Sequence, residues 1–390
     1  MHRAVLKSAL MLALLACGQP VGAQETRAPA VSFNTLSAQA EEARAANRLN
    51  EAIALYRKAL SVRPSWAEGW WYLGTLLYDQ DQYGEAATAF RKAATLNPKI
   101  GTSWVMLGLC EYKLDQNDAA LRHIQRGRQL GTSKDPQFFQ VMLYHEGLLL
   151  LAKAQFEKAQ ETLASLVRAG VETEDVRVAL GLSVLRLAPS ELPAGDSALR
   201  QVVLRAGWSE VLAVQKQFDR ALQEYERLSA DFSKKLNIHY AFGRFLLTRQ
   251  DPEKAVAAFQ REIENHPEHV LARLAIASVK ASTDPGGGLA YAEEAVKLNP
   301  HIPLGRYLLG SLLLHTDQTA RAIQELETAR RDMPNDSRVY YALGRAYARA
   351  NRKQDAERAR AAFKRLTKES QEGGKTGVGE SLGQQAQNPR

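Results

Sequence analysis

The chain has 390 residues, 45% of them hydrophobic, 24% charged and 7% aromatic, and a formal net charge of +8. This is the balance of an ordinary soluble chain, and its two cysteines, Cys17 and Cys110, exclude a disulfide-stapled scaffold. The charge is uneven: Ser337–Ser370 holds ten Lys/Arg against Asp355, Glu357 and Glu369, an excess of seven out of the net eight.

Residues 1–23 read as a signal peptide. Arg3 and Lys7 make a basic start, Ser8–Ala16 is an apolar run too short to span a bilayer, and Gly18–Pro20 breaks it. Two processing readings compete. Val21-Gly22-Ala23 suits an ordinary signal peptidase, whereas Leu14-Leu15-Ala16-Cys17 looks like a bacterial lipobox that would lipidate Cys17. Either one exports the chain, to the periplasm or beyond the cell in the first case and as an outer-membrane lipoprotein in the second. With Cys17 removed or lipidated no intramolecular disulfide remains, and Cys110 reads as a small buried hydrophobe.

A polar Gln24–Ser32 linker follows, and then a period of 34 residues: Ala52, Ala86 and Ala120; Pro64 and Pro98; Gly74 and Gly108. The clearest unit is Ala67–Ile100. Trp70, Leu73, Gly74 and Leu77 share one face of a first helix, Ala86, Phe90, Ala93 and Ala94 share one face of a second, and Pro98 stops it. Gly74 and Ala86 are small where the two helices must cross, so Trp70, Leu77 and Phe90 can close over the contact. Phe33–Trp66 precedes as a cap with a weak first helix, and Gly101–Lys134 repeats the pattern. After a short insertion at Asp135–Phe139, Leu143, Gly147 and Leu150, then Ala159, Leu163 and Leu166, mark a fourth unit and complete an N-terminal array over 33–173.

Residues 174–201 break the period. Leu180 and Gly181 fit a first helix, but Ala188-Pro189 and Leu192-Pro193-Ala194-Gly195 interrupt, so we expect a helix, an irregular loop and a restart capped by Asp196. A second array of five units spans 202–370. It is marked by Ala221 and Tyr225, by Gly243, Ala255 and Phe259, by Ala275 and Ile276 with a turn at Pro285–Gly288, by Gly310, Ala322 and Ala329, and by Gly344, Tyr347 and Ala356. Residues 371–390 are Gly/Gln-rich and read as a disordered tail.

On these residues the chain resembles the tetratricopeptide repeat (TPR) family over about 33–370. The resemblance implies an all-α, right-handed α-solenoid of about ten helix-turn-helix units, one of them irregular near the middle. It also implies a protein- or peptide-binding scaffold whose first helices line a concave groove, with no catalysis and no cofactor. A second stripe on the first helices, one residue beyond the core stripe and so turned about 100° from it, would then face the groove. It holds Trp71 and Tyr78, with Tyr112, Tyr144, Tyr240, Tyr307 and Tyr341 further along, joined by Arg244, Arg273, Arg345 and Arg349. Each ring either meets a ligand or packs between successive first helices, since tyrosine does both. Rings with interspersed guanidinium groups suit an acidic partner. The family's chaperone-tail clamp is not supported, because the slots equivalent to Thr75 hold Leu109, Leu148, Glu210, Arg244, Ala277, Ser311 and Arg345 rather than asparagine.

Other chemistry is weakly signalled. Gly373-Gly374-Lys375-Thr376 lacks the glycine a phosphate loop needs at the position of Glu369. Gly286–Gly288 reads as a flexible turn rather than an anion cradle, and His266 and His269 as solvated loop histidines rather than zinc ligands. Residues 174–201 offer Glu174, Asp175, Ser190, Glu191 and Asp196 without His or Cys, so an enzyme site there lacks its usual base or metal ligands. Nucleic acid is not expected of an exported chain without a recognised binding motif. Membrane contact would need lipid at Cys17 or the basic C-terminal repeat.

Overall fold

The computed structural model describes residues 32–132, 135–193, 195 and 197–374, and over these the chain is built from nineteen α-helices and a 3-10 turn at Pro189–Glu191, with no strand. The signal segment with Cys17, the end of the tail with Lys375-Thr376, and the expected cap Asp196 lie outside the described residues. In the N-terminal half four hairpins form in order: α1 (Phe33–Ala45) with α2 (Leu49–Val62), α3 (Ala67–Asp79) with α4 (Tyr83–Leu96), α5 (Gly101–Lys113) with α6 (Asn117–Leu130), and α7 (Pro136–Ala152) with α8 (Phe156–Arg168). A single helix, α9 (Glu174–Leu185), follows. Five more hairpins complete the array: α10 (Ala198–Val214) with α11 (Phe218–Asp231), α12 (Ile238–Thr248) with α13 (Pro252–Asn265), α14 (Val270–Lys280) with α15 (Pro285–Leu298), α16 (Pro303–His315) with α17 (Thr319–Asp332), and α18 (Ser337–Arg349) with α19 (Lys353–Gly374).

One geometric rule recurs at several crossings. A Cβ added to Gly74 would stand 2.9 Å from the Phe90 ring, one on Gly108 2.7 Å from Ile124, one on Gly147 2.6 Å from Leu163, and one on Gly310 2.6 Å from Leu326. The bulky residue always lies sixteen positions beyond the glycine, so the small slot and its lid are set by one sequence spacing. The turns recur as well. Asn47, Asp81, Asp115, Ala154, Lys216, Gln250, Asp317 and Asn351 each carry positive φ between the two helices of a hairpin, and the N–H after each folds back on the first helix, as Gln82 N–H does on the Leu77 carbonyl at 2.9 Å. Between hairpins, the first helix is pinned to the preceding proline. Trp70 Nε1 donates to the Pro64 carbonyl at 2.8 Å, Trp104 Nε1 to Pro98 at 3.0 Å, Arg306 Nε to Pro300 at 3.1 Å and Tyr340 Oη to Pro334 at 2.9 Å.

The glycine stretch at 286–288 is helical rather than a turn. Asp284 caps α15, accepting Gly287 N–H on Oδ1 at 2.9 Å with Pro285 in the first turn, so that amide is engaged and cradles no anion. Likewise Ser197, whose hydroxyl accepts Arg200 N–H at 3.1 Å, caps α10. Helix α19 continues to Gly374, into the stretch expected to be tail.

Helix α9 is accommodated by an unusually close approach to α10. A Cβ on Gly181 would land on the Val203 carbonyl oxygen, and one on Gly207 on that of Arg177. Both partners are backbone, so neither can yield. As a result one apolar core runs unbroken through the irregular centre, from Val105 on α5 to Phe245 on α12. Cys110 is fully buried, and burial pushes its thiol up to about 12.

Candidate functional site

The predicted stripe divides into three parts. On the N-terminal hairpins Trp71, Tyr78, Tyr112 and Tyr144 are all half-buried, with one side on the core. Trp71 meets the Phe90 ring edge-on at 5.3 Å, Tyr78 meets Tyr83 at 5.3 Å, and His145 bridges Tyr112 at 4.9 Å and Tyr144 at 5.6 Å. Burial raises the phenols of Tyr78 and Tyr112, and takes that of Tyr144 to about 12 with help from Asp175 and Tyr112. These phenols stay neutral and offer hydrogen bonds at any physiological pH.

In the middle the stripe sinks. Tyr240 is buried against Phe259 at 5.7 Å and His269 at 5.1 Å, and Arg273 is buried with its Nε on Glu294 at 2.9 Å and Nη1 on the His269 carbonyl. Both were expected to line the groove and both are buried: Tyr240 is covered by His269 at the start of α14, and Arg273, on α14 itself, is turned onto Glu294 of α15. Arg244 is half-buried and donates to Gln160 Oε1 at 3.0 Å, while Gln160 Nε2 donates to Glu210 Oε1 at 2.6 Å and Tyr225 Oη to Glu210 Oε2 at 3.2 Å. This chain of bonds ties α8, α10, α11 and α12 together across the place where α9 interrupts the repeat.

At the C-terminal end the stripe resurfaces. Tyr307 is half-buried with Arg338 above its ring at 5.4 Å, and Tyr341 is 54% exposed, the highest exposure of any candidate tyrosine. Arg345 reaches over Tyr341 at 6.0 Å. Arg349 is exposed and is bound to the Leu314 carbonyl and to Asp317 Oδ1 at 3.2 Å.

Away from this stripe a cleft of about 830 Å³ opens between Phe156, Arg186, Leu236, Asn237, His266 and His269, at the junction of α8, α9, α12 and α14. His269, expected in solvent, is buried in its wall. Its Nδ1 accepts Ala272 N–H at 3.0 Å as the cap of α14, so Nε2 carries the proton to Asn237 Oδ1 at 2.8 Å, and Asn237 Nδ2 donates to the Leu185 carbonyl at 2.8 Å. Burial pushes this imidazole down to about 4. Among the described residues no three His, Cys, Asp or Glu side chains group as a metal site, and no helix is long and apolar enough to cross a membrane.

Sequence reasoning missed the buried carboxylates. Glu111, Glu146 and Glu262 are all essentially inaccessible. Glu111 accepts from Arg91 at 3.1 Å and pairs with His123 at 2.6 Å, and Glu146 meets Arg128 at 3.2 Å. The available signal was a glutamate standing on the apolar stripe of each helix.

A stack of helical hairpins, held by small-residue crossings and carrying half-buried rings along its first helices, is a scaffold of the helical-repeat class. Tetratricopeptide repeat models match residues 37–99, 74–133, 208–270, 240–279 and 280–346, and the chain belongs to the tetratricopeptide repeat family. Proteins of this family act as protein-interaction scaffolds and are typically not enzymes. No curated protein matches the chain. Among solved structures it is similar to MamA from Desulfovibrio magneticus RS-1, with 20% identity over 46% of this chain and 98% of that one and a TM-score of 0.38. It is also similar to yeast Tom70, at 11% identity over 86% and 91% with a TM-score of 0.35. A tetratricopeptide repeat protein from Parabacteroides merdae ATCC 43184 shows 13% identity over 72% and 98% with a TM-score of 0.33.

Proposed function

We propose that this chain is an exported scaffold that captures a segment of another protein along the face of its first helices and performs no chemistry on it. One observation carries the reading. Tyr78, Tyr112, Tyr144 and Tyr307 pack one side on the core and keep the other in solvent, and Tyr341 is more than half exposed. Such rings supply contact area with little side-chain entropy to lose, which suits recognition of an extended or helical segment. The basic C-terminal hairpin favours an acidic partner. In the irregular region two of the carboxylates are engaged within the fold: Glu174 accepts from Arg200 at 2.7 Å, and Glu191 accepts Ala188 N–H at 2.6 Å.

Photo-crosslinking tests this directly. A benzophenone amino acid at 112 or 341 should capture a discrete partner from envelope extract, and one at the exposed second-helix position Lys92 should not. Equal labelling at all three positions overturns the groove reading. The export reading predicts a mature chain that either starts at Gln24 or carries lipid on Cys17, and acyl labelling with N-terminal sequencing decides between them; a chain retaining Met1 at its N-terminus sinks both.

A further inference from the structure

The last hairpin departs from the crossing rule in one residue. The lid position sixteen beyond the glycine, filled by Phe90, Ile124, Leu163, Phe259 and Leu326 in other hairpins, holds Arg360 opposite Gly344. An arginine cannot bury its head there, so its stem covers the crossing and its guanidinium turns outward. A Cβ on Gly344 would stand 3.4 Å from Arg360 Cγ, the loosest of these crossings. The gap is a small cavity of about 70 Å³ lined by Tyr341, Gly344, Arg345, Arg360 and Phe363, with the Tyr341 and Phe363 rings 5.5 Å apart.

The neighbouring arginines are satisfied by carboxylates: Arg338 by Asp336, Arg349 by Asp317 and Arg352 by Asp355. Among the described residues Arg345 and Arg360, the two that reach the cavity, meet none. Two unpaired guanidinium groups beside two aromatic walls form a site for a planar anion on a short apolar stem. All five lining residues lie inside α18 or α19, so no free backbone amide is present to help coordinate a tetrahedral dianion.

We propose that this cavity is a carboxylate-binding subsite, which seats a Glu or Asp side chain of a partner segment between Arg345 and Arg360. The inference rests on the groove reading above and fixes one end of the partner's path at the last hairpin.

The test uses the full chain and a fluorescein-labelled, C-terminally amidated Gly-Ser-Gly-Glu-Glu-Glu-Glu peptide, with an equally amidated Gln version beside it. The acidic peptide should bind, and Arg345→Gln and Arg360→Leu should each weaken it about tenfold, the loss of one charge-assisted contact. Arg360→Leu gives the last hairpin the apolar lid of the chain's other hairpins, so its melting temperature should hold or rise, and lost binding cannot then be ascribed to unfolding. Arg358→Gln removes the same charge from the exposed side of α19 and should leave binding within twofold. Equal losses from Arg358→Gln and Arg360→Leu, or equal binding of the Glu and Gln peptides, overturn the subsite. Displacement of the peptide by inorganic phosphate at lower concentration than by acetate overturns the carboxylate assignment. Crosslinking of a partner at 112 that survives in Arg360→Leu, with the acidic peptide unbound by wild type, would sink the subsite and leave the scaffold standing.

Discussion

The buried carboxylate of Glu262 on α13 holds the start of α12: Oε1 accepts Asn237 N–H at 2.8 Å and Oε2 accepts Tyr240 N–H at 3.0 Å. Asn237 sits in the left-handed region at φ 70°, and the helix it precedes has no side-chain cap of its own. Glu262 therefore does for α12 what a serine or aspartate cap does elsewhere, but from a neighbouring helix.

That role predicts the cost of removing it. Glu262→Ala would restore a small residue, as at Ala93 and Ala329 in the equivalent slots, and would relieve the burial that raises this carboxyl above the usual range. It would also leave two buried amides without acceptors. Unsatisfied buried donors cost about 1–3 kcal/mol, so urea denaturation should show net destabilisation of that order despite the better fit to the repeat. An unchanged midpoint would mean that water or a shifted α12 satisfies those amides.

His269 makes the fold acid-sensitive. Its folded pKa of about 4 lies below the ordinary value near 6.5, so its contribution is complete above pH 6.5 and is lost as pH falls toward 4. The span corresponds to about 3 kcal/mol. Glu262, whose pKa is raised, acts in the opposite sense and gains stability as it protonates, so the comparison must isolate the imidazole. His269→Asn retains an N-cap oxygen without a titrating ring. Relative to wild type at pH 8, the variant should lose much less stability between pH 6.5 and 4. Parallel pH profiles would show that another group carries the acid response.

The crossings predict opposite outcomes for one chemical change. Gly243→Ala places a methyl 2.5 Å from the Phe259 ring and should cost about 1–3 kcal/mol through overpacking. Gly344→Ala comes no nearer than 3.4 Å to the flexible stem of Arg360 and 3.9 Å to Ala356 and Ala359, and should be neutral or stabilising by up to about 1 kcal/mol, since alanine is the better helix former. Thermal unfolding of the pair settles it, and equal losses would refute the claim that the last crossing is loose.

The repeat was legible because several hairpins write their crossing into two residues at fixed spacing, Gly74 with Phe90 and Gly310 with Leu326, and the same spacing shows Arg360 opposite Gly344 as a departure. The stripe was legible only as a direction. Whether a ring on it stays open depends on what the next hairpin brings, and Tyr240 is closed by His269, which the sequence reads as a solvated loop histidine. The Gly181 and Gly207 approach was half seen. Gly207 lies off the 34-residue register because α9 is inserted, so its role depends on the Arg177 carbonyl, a contact that no local pattern encodes.

Tyr240 and Tyr341 separate packing from recognition on the same stripe. Tyr240→Ala empties a buried ring site and should cost about 3–5 kcal/mol, the range for aromatic truncation in a core. Tyr341→Ala removes a ring that is more than half exposed, so stability should move by less than about 1 kcal/mol while capture of a partner at the last hairpin falls. Equilibrium unfolding and crosslinking yield, measured on both variants, give the two readouts. A Tyr341→Ala chain that loses as much stability as Tyr240→Ala would place Tyr341 in the packing of α18 against α19, and the partner-facing stripe would then end at Tyr307.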